Sequence, residues 1–344
     1  MTNTIHLLIG CEEGGLTQLT SADGGRNWGT PEVINPELDA TAFATTTDGT
    51  VYVGTRGNGL LRSRDGLRSW EAVPLPEGTE KIRSLYQDDG RLLIGTEPAG
   101  VFEYLPDGKS GKLGDLWSAP GASNWFYPVP VEAVHIRGLS VDPNQRDRIY
   151  TAIQVGGVGI SPDDGDTWYD KRNLDLDVHV VLPHPKRAGV VFAGSGGGGV
   201  YRSTDSGENW EFISEGCGQF VLDFAMDPRD ADRMILGTAS GEFRSWSGAA
   251  GARGQLFRTE DGGASWRKLT GGLPETLLSR VTAVVIDRAD PDQVYFGAGL
   301  PSRANVPLHA VDAGVYHSAD GGDSWEKIFT VEHGEPPAIW CVHD

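Results

Sequence analysis

Residues Gly194–Trp210 read GSGGGGVYRSTDSGENW: a glycine run, a short segment Val200–Ser203, a polar turn with Asp205 and Gly207, and a tryptophan. The turn returns as SADGGRNW from Ser21, SRDGLRSW from Ser63, SPDDGDTW from Ser161, TEDGGASW from Thr259 and SADGGDSW from Ser318. A Ser or Thr hydroxyl and the Asp two residues on can take up backbone N–H groups that a hairpin leaves without ladder partners. Glycine supplies the positive φ that other residues resist. The tryptophan opening the next segment can bury on the order of 200 Å² between neighbouring units. Six near-copies cannot each be an active site, so the turn reads as structural.

The turns start at residues 21, 63, 161, 203, 259 and 318. The stretch from 63 to 161 is two units long. Tyr104–Trp117, YLPDGKSGKLGDLW, fits the missing turn, with Asp107, Gly108 and Trp117 in the key places. Seven units of roughly 49 residues each match the size of four short strands with their turns. One unit reads VHVVLPHP (Val178–Pro185), VVFAGS, GVYRS and WEFIS, all strand-like runs bounded by Gly, Pro and Asp. The chain begins on a second-type strand, Ile5–Cys11, and ends on AIWCVHD (Ala338–Asp344), which matches the first-strand phrases IRSLYQD, IRGLSVD and VTAVVID. The expectation is an all-β, seven-bladed propeller of four-stranded blades in a single domain, residues 1–344. Blade one would combine residues 1–38 with 336–344, and that closure would hide sheet edges.

The chain has 344 residues, 48 of them glycine, and no apolar run approaching the roughly 18 residues of a membrane span. Its N-terminal MTNTIHLLIGCEE has no basic region ahead of the apolar core, and Cys11, Cys217 and Cys341 show no metal-type spacing. A reduced, cytoplasmic protein is the expectation. With 29 Lys and Arg against 48 Asp and Glu, the formal charge is −19, which disfavours nucleic-acid and anionic-membrane partners.

The repeated turns resemble the Asp box, or bacterial-neuraminidase repeat, along the whole chain. Proteins with that repeat include sialidases, xyloglucan-specific endoglucanases, sortilin-type sorting receptors and photosystem II assembly factors, so the resemblance implies a propeller without choosing an activity. The Arg-Ile-Pro motif of sialidases does not occur.

In a propeller the inner strands begin at one end and the repeated turns lie at the other. Binding loops concentrate length, and the three long insertions, Ser118–Val134, Thr238–Gly254 and Leu300–Ala313, fall on the inner-strand side. Aligned starts of the inner strands carry Lys81 and Arg83, His135 and Arg137, Asp177 and His179, and Arg280, against Phe220 and Leu222 in blade six. Arginine suits bidentate capture of a carboxylate or phosphate; pairing with Asp175, Asp177, Glu80 or Glu132 is the structural alternative. Trp125, Tyr127, Trp246 and Trp340 fall outside the repeated tryptophan position, as stacking platforms for a sugar or as loop anchors.

These residues give the leading expectation: a hydrolase or lyase on a small anionic or carbohydrate-like ligand. His135, His179 and Asp177 would move the proton, and Lys81, Arg83, Arg137, Arg280, Trp125, Tyr127, Trp246 and Trp340 would bind. A non-catalytic propeller gripping a protein partner is the alternative. No cofactor is expected; the third reading is a transition metal on His135, His179, His309 and His333. His184 and His317 look structural, and His6 and His343, at blade-one strand ends, have no stronger claim.

Overall fold

The computed structural model describes residues 4–11, 15–128, 133–240, 246, 250–300, 312–331 and 335–343. Seven four-stranded antiparallel sheets follow one another along the chain, and their order is that of a seven-bladed β-propeller. In six of them four consecutive strands pair in sequence. In blade one the C-terminal strand Ala338–His343 pairs with Ile5–Cys11, which pairs in turn with Gly15–Ser21, so the expected closure is present. The helical content among the described residues is two single 3₁₀ turns, Leu116–Ser118 and Ala122–Asn124. No helix among them is long and apolar enough to cross a membrane.

The chain divides into two compact units. Thr41–Ile213 carries blades two to five, and Met1–Ala40 with Ser214–Asp344 carries blades six, seven and one. In both, the second strand of a blade is buried on both faces, as in Val191–Ser195 and Val294–Gly299, which is why these strands read as unbroken apolar runs. A glycine recurs within them where the next blade's inner strand comes close. A Cβ on Gly95 would run into Ile136, and one on Gly237 into Val281. Hydroxyls bind the inner strands together: Ser84 Oγ donates to Ile136 O (2.9 Å) and Ser140 Oγ to Val181 O (3.0 Å).

The repeated turn behaves as its chemistry requires. Ser203 Oγ accepts from Gly207 N at 2.8 Å and donates to Asp205 Oδ1 at 2.8 Å, while Asp205 Oδ1 accepts from Asn209 N at 2.9 Å. The turns at Ser21, Ser161, Thr259 and Ser318 form the same bonds. Trp168 is buried between blades three and four, its Nε1 donating to Leu113 O at 3.1 Å. Blade three departs from expectation. Its hairpin is a tight turn, with Leu105 N bonded to Lys109 O and Gly108 at positive φ. The outer strand therefore starts at once, as Ser110–Lys112, and Trp117 falls in a 3₁₀ turn beyond it.

Candidate functional site

In five inner strands the ladder slips by one residue near the start, and the extra residue is Arg83, Arg137, His179, Leu222 or Thr282. A bulge of this kind takes a residue out of the pairing pattern and re-aims its side chain. Two residues earlier, at the first position of the strand or just ahead of it, lie Lys81, His135, Asp177, Phe220 and Arg280. In the four-blade unit, blades three, four and five thus each present two polar side chains, one at the bulge and one just before it. In the three-blade unit the corresponding pairs are Phe220 with Leu222 and Arg280 with Thr282.

In blade three both cations converge on Glu97. Lys81 Nζ donates to Oε1 at 3.1 Å, and Arg83 donates through Nε to Oε2 at 2.7 Å and through its terminal nitrogen to the same oxygen. Ala133 N adds a bond to Oε1 at 3.2 Å. Glu97 is buried, which opposes ionisation, yet the Arg83 charge and these donors hold its carboxyl below the usual range. Sequence weighed anion capture against pairing with Asp175, Asp177, Glu80 or Glu132; Lys81 and Arg83 are paired, but with Glu97.

His135 is buried, with Nδ1 2.8 Å from Ala133 O and its ring edge-on to Tyr127 at 5.1 Å. Burial, then the Arg83 charge, pushes its pKa down to about 3. The ring is therefore neutral with the proton on Nδ1, and Nε2 is left as an acceptor. In blade five, His179 Nε2 lies 3.2 Å from Asp177 Oδ1. Burial works against ionisation of Asp177, but His179 and then Arg137 hold it below the ordinary carboxylate range. The loop joining the second and third strands of blade five closes over this pair. Gly196 N donates to Asp177 O at 2.8 Å, and a Cβ on Gly196 would overlap the Asp177 carboxylate and lie 2.7 Å from His179 Cε1. The Ser203–Gly207 turn sits at the opposite end of the strand that leaves this loop, as expected.

The three-blade unit holds a separate arrangement. Arg280 is almost fully buried, bonded through Nε to Glu335 Oε2 at 2.8 Å and through its terminal nitrogen to Oε1. Its guanidinium lies 5.3 Å from the Trp246 ring and 6.0 Å from the Phe220 ring. Trp246 is fully buried, with Nε1 donating to Ser240 O at 3.1 Å. Beside it, Ser240, Ala250, Arg253, Gln255, Thr276 and Leu278 line an open cleft of about 450 Å³.

Two binding expectations are corrected by burial. Trp246 cannot offer a stacking face, and Trp125, 6% exposed, packs on Trp117 (centroids 5.3 Å apart) with Nε1 3.3 Å from Asp170 Oδ2. Both anchor their insertions against the blades. Tyr127 is partly buried against the same core, its hydroxyl accepting from Gln154 Nε2 at 3.4 Å. Trp340 lies in the inner strand of blade one, half-buried, in register with Leu8. His309 and His333 lie outside the described residues. Sequence reasoning did not assign Glu335 as a partner. Nor did it assign Glu97, whose place beside Arg83 follows from the pairing of Ile82 with Thr96.

The family model for Sortilin, neurotensin receptor 3 (Sortilin-Vps10), matches residues 198–332. The chain is 27% identical over 161 residues to a xyloglucanase of Hypocrea jecorina (strain QM6a), across 43% of this chain and 17% of that protein. It is 21% identical over 220 residues to the oligoxyloglucan-reducing end-specific xyloglucanase of Emericella nidulans, across 55% and 26%. The chain thus spans about a quarter or less of these relatives. Among solved structures, the Niastella koreensis GH74 enzyme superposes with a TM-score of 0.63 at 16% identity, covering 85% of this chain and 45% of that one. At that identity the likeness establishes the propeller fold.

Proposed function

We propose that the chain is a glycosidase-type hydrolase acting on a sugar-like substrate at the starts of the inner strands of blades three to five, with Asp177 and His179 handling the proton. The observation that carries this reading is the run of three adjacent strands whose bulge and pre-bulge side chains are all polar, in an interior that apolar residues would fill at lower cost. The xyloglucanase relatives support the substrate class.

Asp177, ionised at neutral pH, takes a proton from the attacking water, and a proton passes through the bonded imidazole of His179 to the leaving oxygen, so that the bond to water forms as the glycosidic bond breaks. Neutral His135 offers its Nε2 lone pair to a sugar hydroxyl. Arg137, whose charge acts on both Asp177 and His135, faces developing negative charge on the leaving oxygen. Glu97 already engages both Lys81 and Arg83, so neither cation is held open for an anion, and a neutral sugar is the substrate we propose. The test is reducing-end release from xyloglucan oligosaccharides and a panel of unbranched glucans. Release by the wild type, cut by ~100-fold or more in Asp177→Asn, is expected. A wild type inert on the whole panel sinks the proposal.

The Sortilin-Vps10 match, which falls mainly on the three-blade unit, favours a second reading: a propeller that binds a polypeptide, with the Arg253 cleft as its seat. Peptide capture lost in Arg253→Glu but intact in Asp177→Asn would select that reading over the first.

A further inference from the structure

Away from the candidate site, three metal-ligating side chains meet within the three-blade unit. Asp287 follows the inner strand of blade seven (Arg280–Ile286), and Cys341 and His343 lie two residues apart on the C-terminal strand of blade one, so they share a face. Asp287 Oδ2 is 2.7 Å from His343 Nε2 and 3.5 Å from Cys341 Sγ, and Sγ is 3.6 Å from Nε2. The other Asp287 oxygen accepts from Ala289 N at 2.9 Å, which fixes the carboxylate. Asp287 is buried, while the His343 side chain is 27% exposed and leaves solvent access.

A nucleophile relay does not fit this geometry. In a relay the imidazole uses one nitrogen for the nucleophile and the other for the carboxylate, whereas here Nε2 faces both. Three atoms converging on one point fit a shared ion. Tetrahedral zinc, with bonds of ~2.3 Å to sulfur and ~2.0–2.1 Å to nitrogen and oxygen, sets S···N and S···O edges at about 3.5 Å and the N···O edge at about 3.3 Å. Two edges already match. The third is closed by the Nε2–H···Oδ2 hydrogen bond, whose proton an ion would replace.

Tyr295 borders the cluster: it is fully buried, and its hydroxyl is directed at Cys341. A thiolate at Cys341 would be a stronger acceptor for that hydroxyl than the thiol is.

We propose that Asp287, Cys341 and His343 bind a thiophilic divalent cation, with Zn²⁺ the best match, and that the ion pins the closing strand of blade one to blade seven. On binding, the Cys341 thiol proton leaves to solvent and the His343 proton moves from Nε2 to Nδ1. Sulfur, nitrogen and oxygen take three positions of the tetrahedron, water takes the fourth, and the Tyr295 hydroxyl donates to the thiolate. The site is independent of the proposed hydrolysis.

The experiment is titration of the chelator-stripped full chain with Co²⁺, followed by competition with Zn²⁺. One equivalent of Co²⁺ is expected to produce a near-ultraviolet thiolate-to-metal band with visible bands of tetrahedral intensity. Zn²⁺ should abolish them and raise Tm. Cys341→Ser should remove the thiolate band, and His343→Gln, at a partly exposed position, should weaken Co²⁺ binding by at least the ~10–100-fold that loss of a supporting partner costs. Absence of a thiolate band in the wild type, its persistence in Cys341→Ser, undiminished affinity in His343→Gln, or a Tm unmoved by Zn²⁺ would each overturn the proposal.

Discussion

At Gly196 it is the missing side chain that lets Asp177 and His179 lie where they do. Gly196→Ala would drive a methyl group into the Asp177 carboxylate. Turnover is therefore expected to fall at least ~10-fold, on the rule that small misplacements of reacting groups cost one to two orders of magnitude, with little change in Tm. Wild-type turnover in this variant would show that the pair is not at the reaction centre. At Ser203 the outcome reverses. Ser203→Ala orphans the buried Gly207 N–H, at a cost of about 1–3 kcal/mol by urea denaturation with activity retained. The role of Ser203 was readable from sequence because hydroxyl, carboxylate and glycine lie within five residues of one another. The roles of Trp125 and Trp246 were not, since only the return of each insertion onto the blades decides whether an aromatic ring is platform or anchor.

The Thr238–Gly254 insertion and the strand of Arg280 are coupled through Trp246, Phe220 and Glu335. Arg280→Ala strands a buried carboxylate, and a loss of about 3–5 kcal/mol is expected. The double variant Arg280→Met with Glu335→Leu should recover most of it, because an apolar pair of similar volume replaces two desolvated charges. Equal losses in single and double variants would show that the ion pair is not what orders this region. At this scale the strands were legible from composition, and the pre-bulge and bulge positions aligned correctly across blades. The partner of Arg280 was hidden because Glu335 lies 55 residues on, in the approach to the closing strand, where no local pattern announces a pairing.

For the molecule as a whole, acid should act in two stages. His135 has a native pKa near 3 against about 6.5 unfolded, and burial lowers His317 in the same direction. The unfolded chain therefore binds more protons between these values, and stability falls as pH drops below about 6.5. The turn carboxylates Asp23, Asp65 and Asp261 titrate at about 2 in the folded state, held by their side-chain and backbone hydrogen bonds. Asp163, Asp205 and Asp320 are lowered as well. Their contribution is present above about pH 4 and lost from there towards 2. Tm followed from pH 7 to 2 should show a shallow limb and then a steep one, and His135→Asn should flatten the first. A Tm constant down to pH 4 would contradict this. The seven-fold plan was legible because one turn phrase recurs along the chain, with a single gap, from 63 to 161, that is two units long. Function was less so, because it depends on what the irregular positions do once repetition is set aside.

The most direct measurement compares Asp177→Asn with Asp205→Asn, one carboxylate at an irregular position and one in the repeated turn. If the reaction centre lies on blades three to five, Asp177→Asn loses ~100-fold or more in sugar release and keeps its Tm, while Asp205→Asn melts several degrees lower and keeps its turnover. Wild-type turnover in Asp177→Asn would contradict the account.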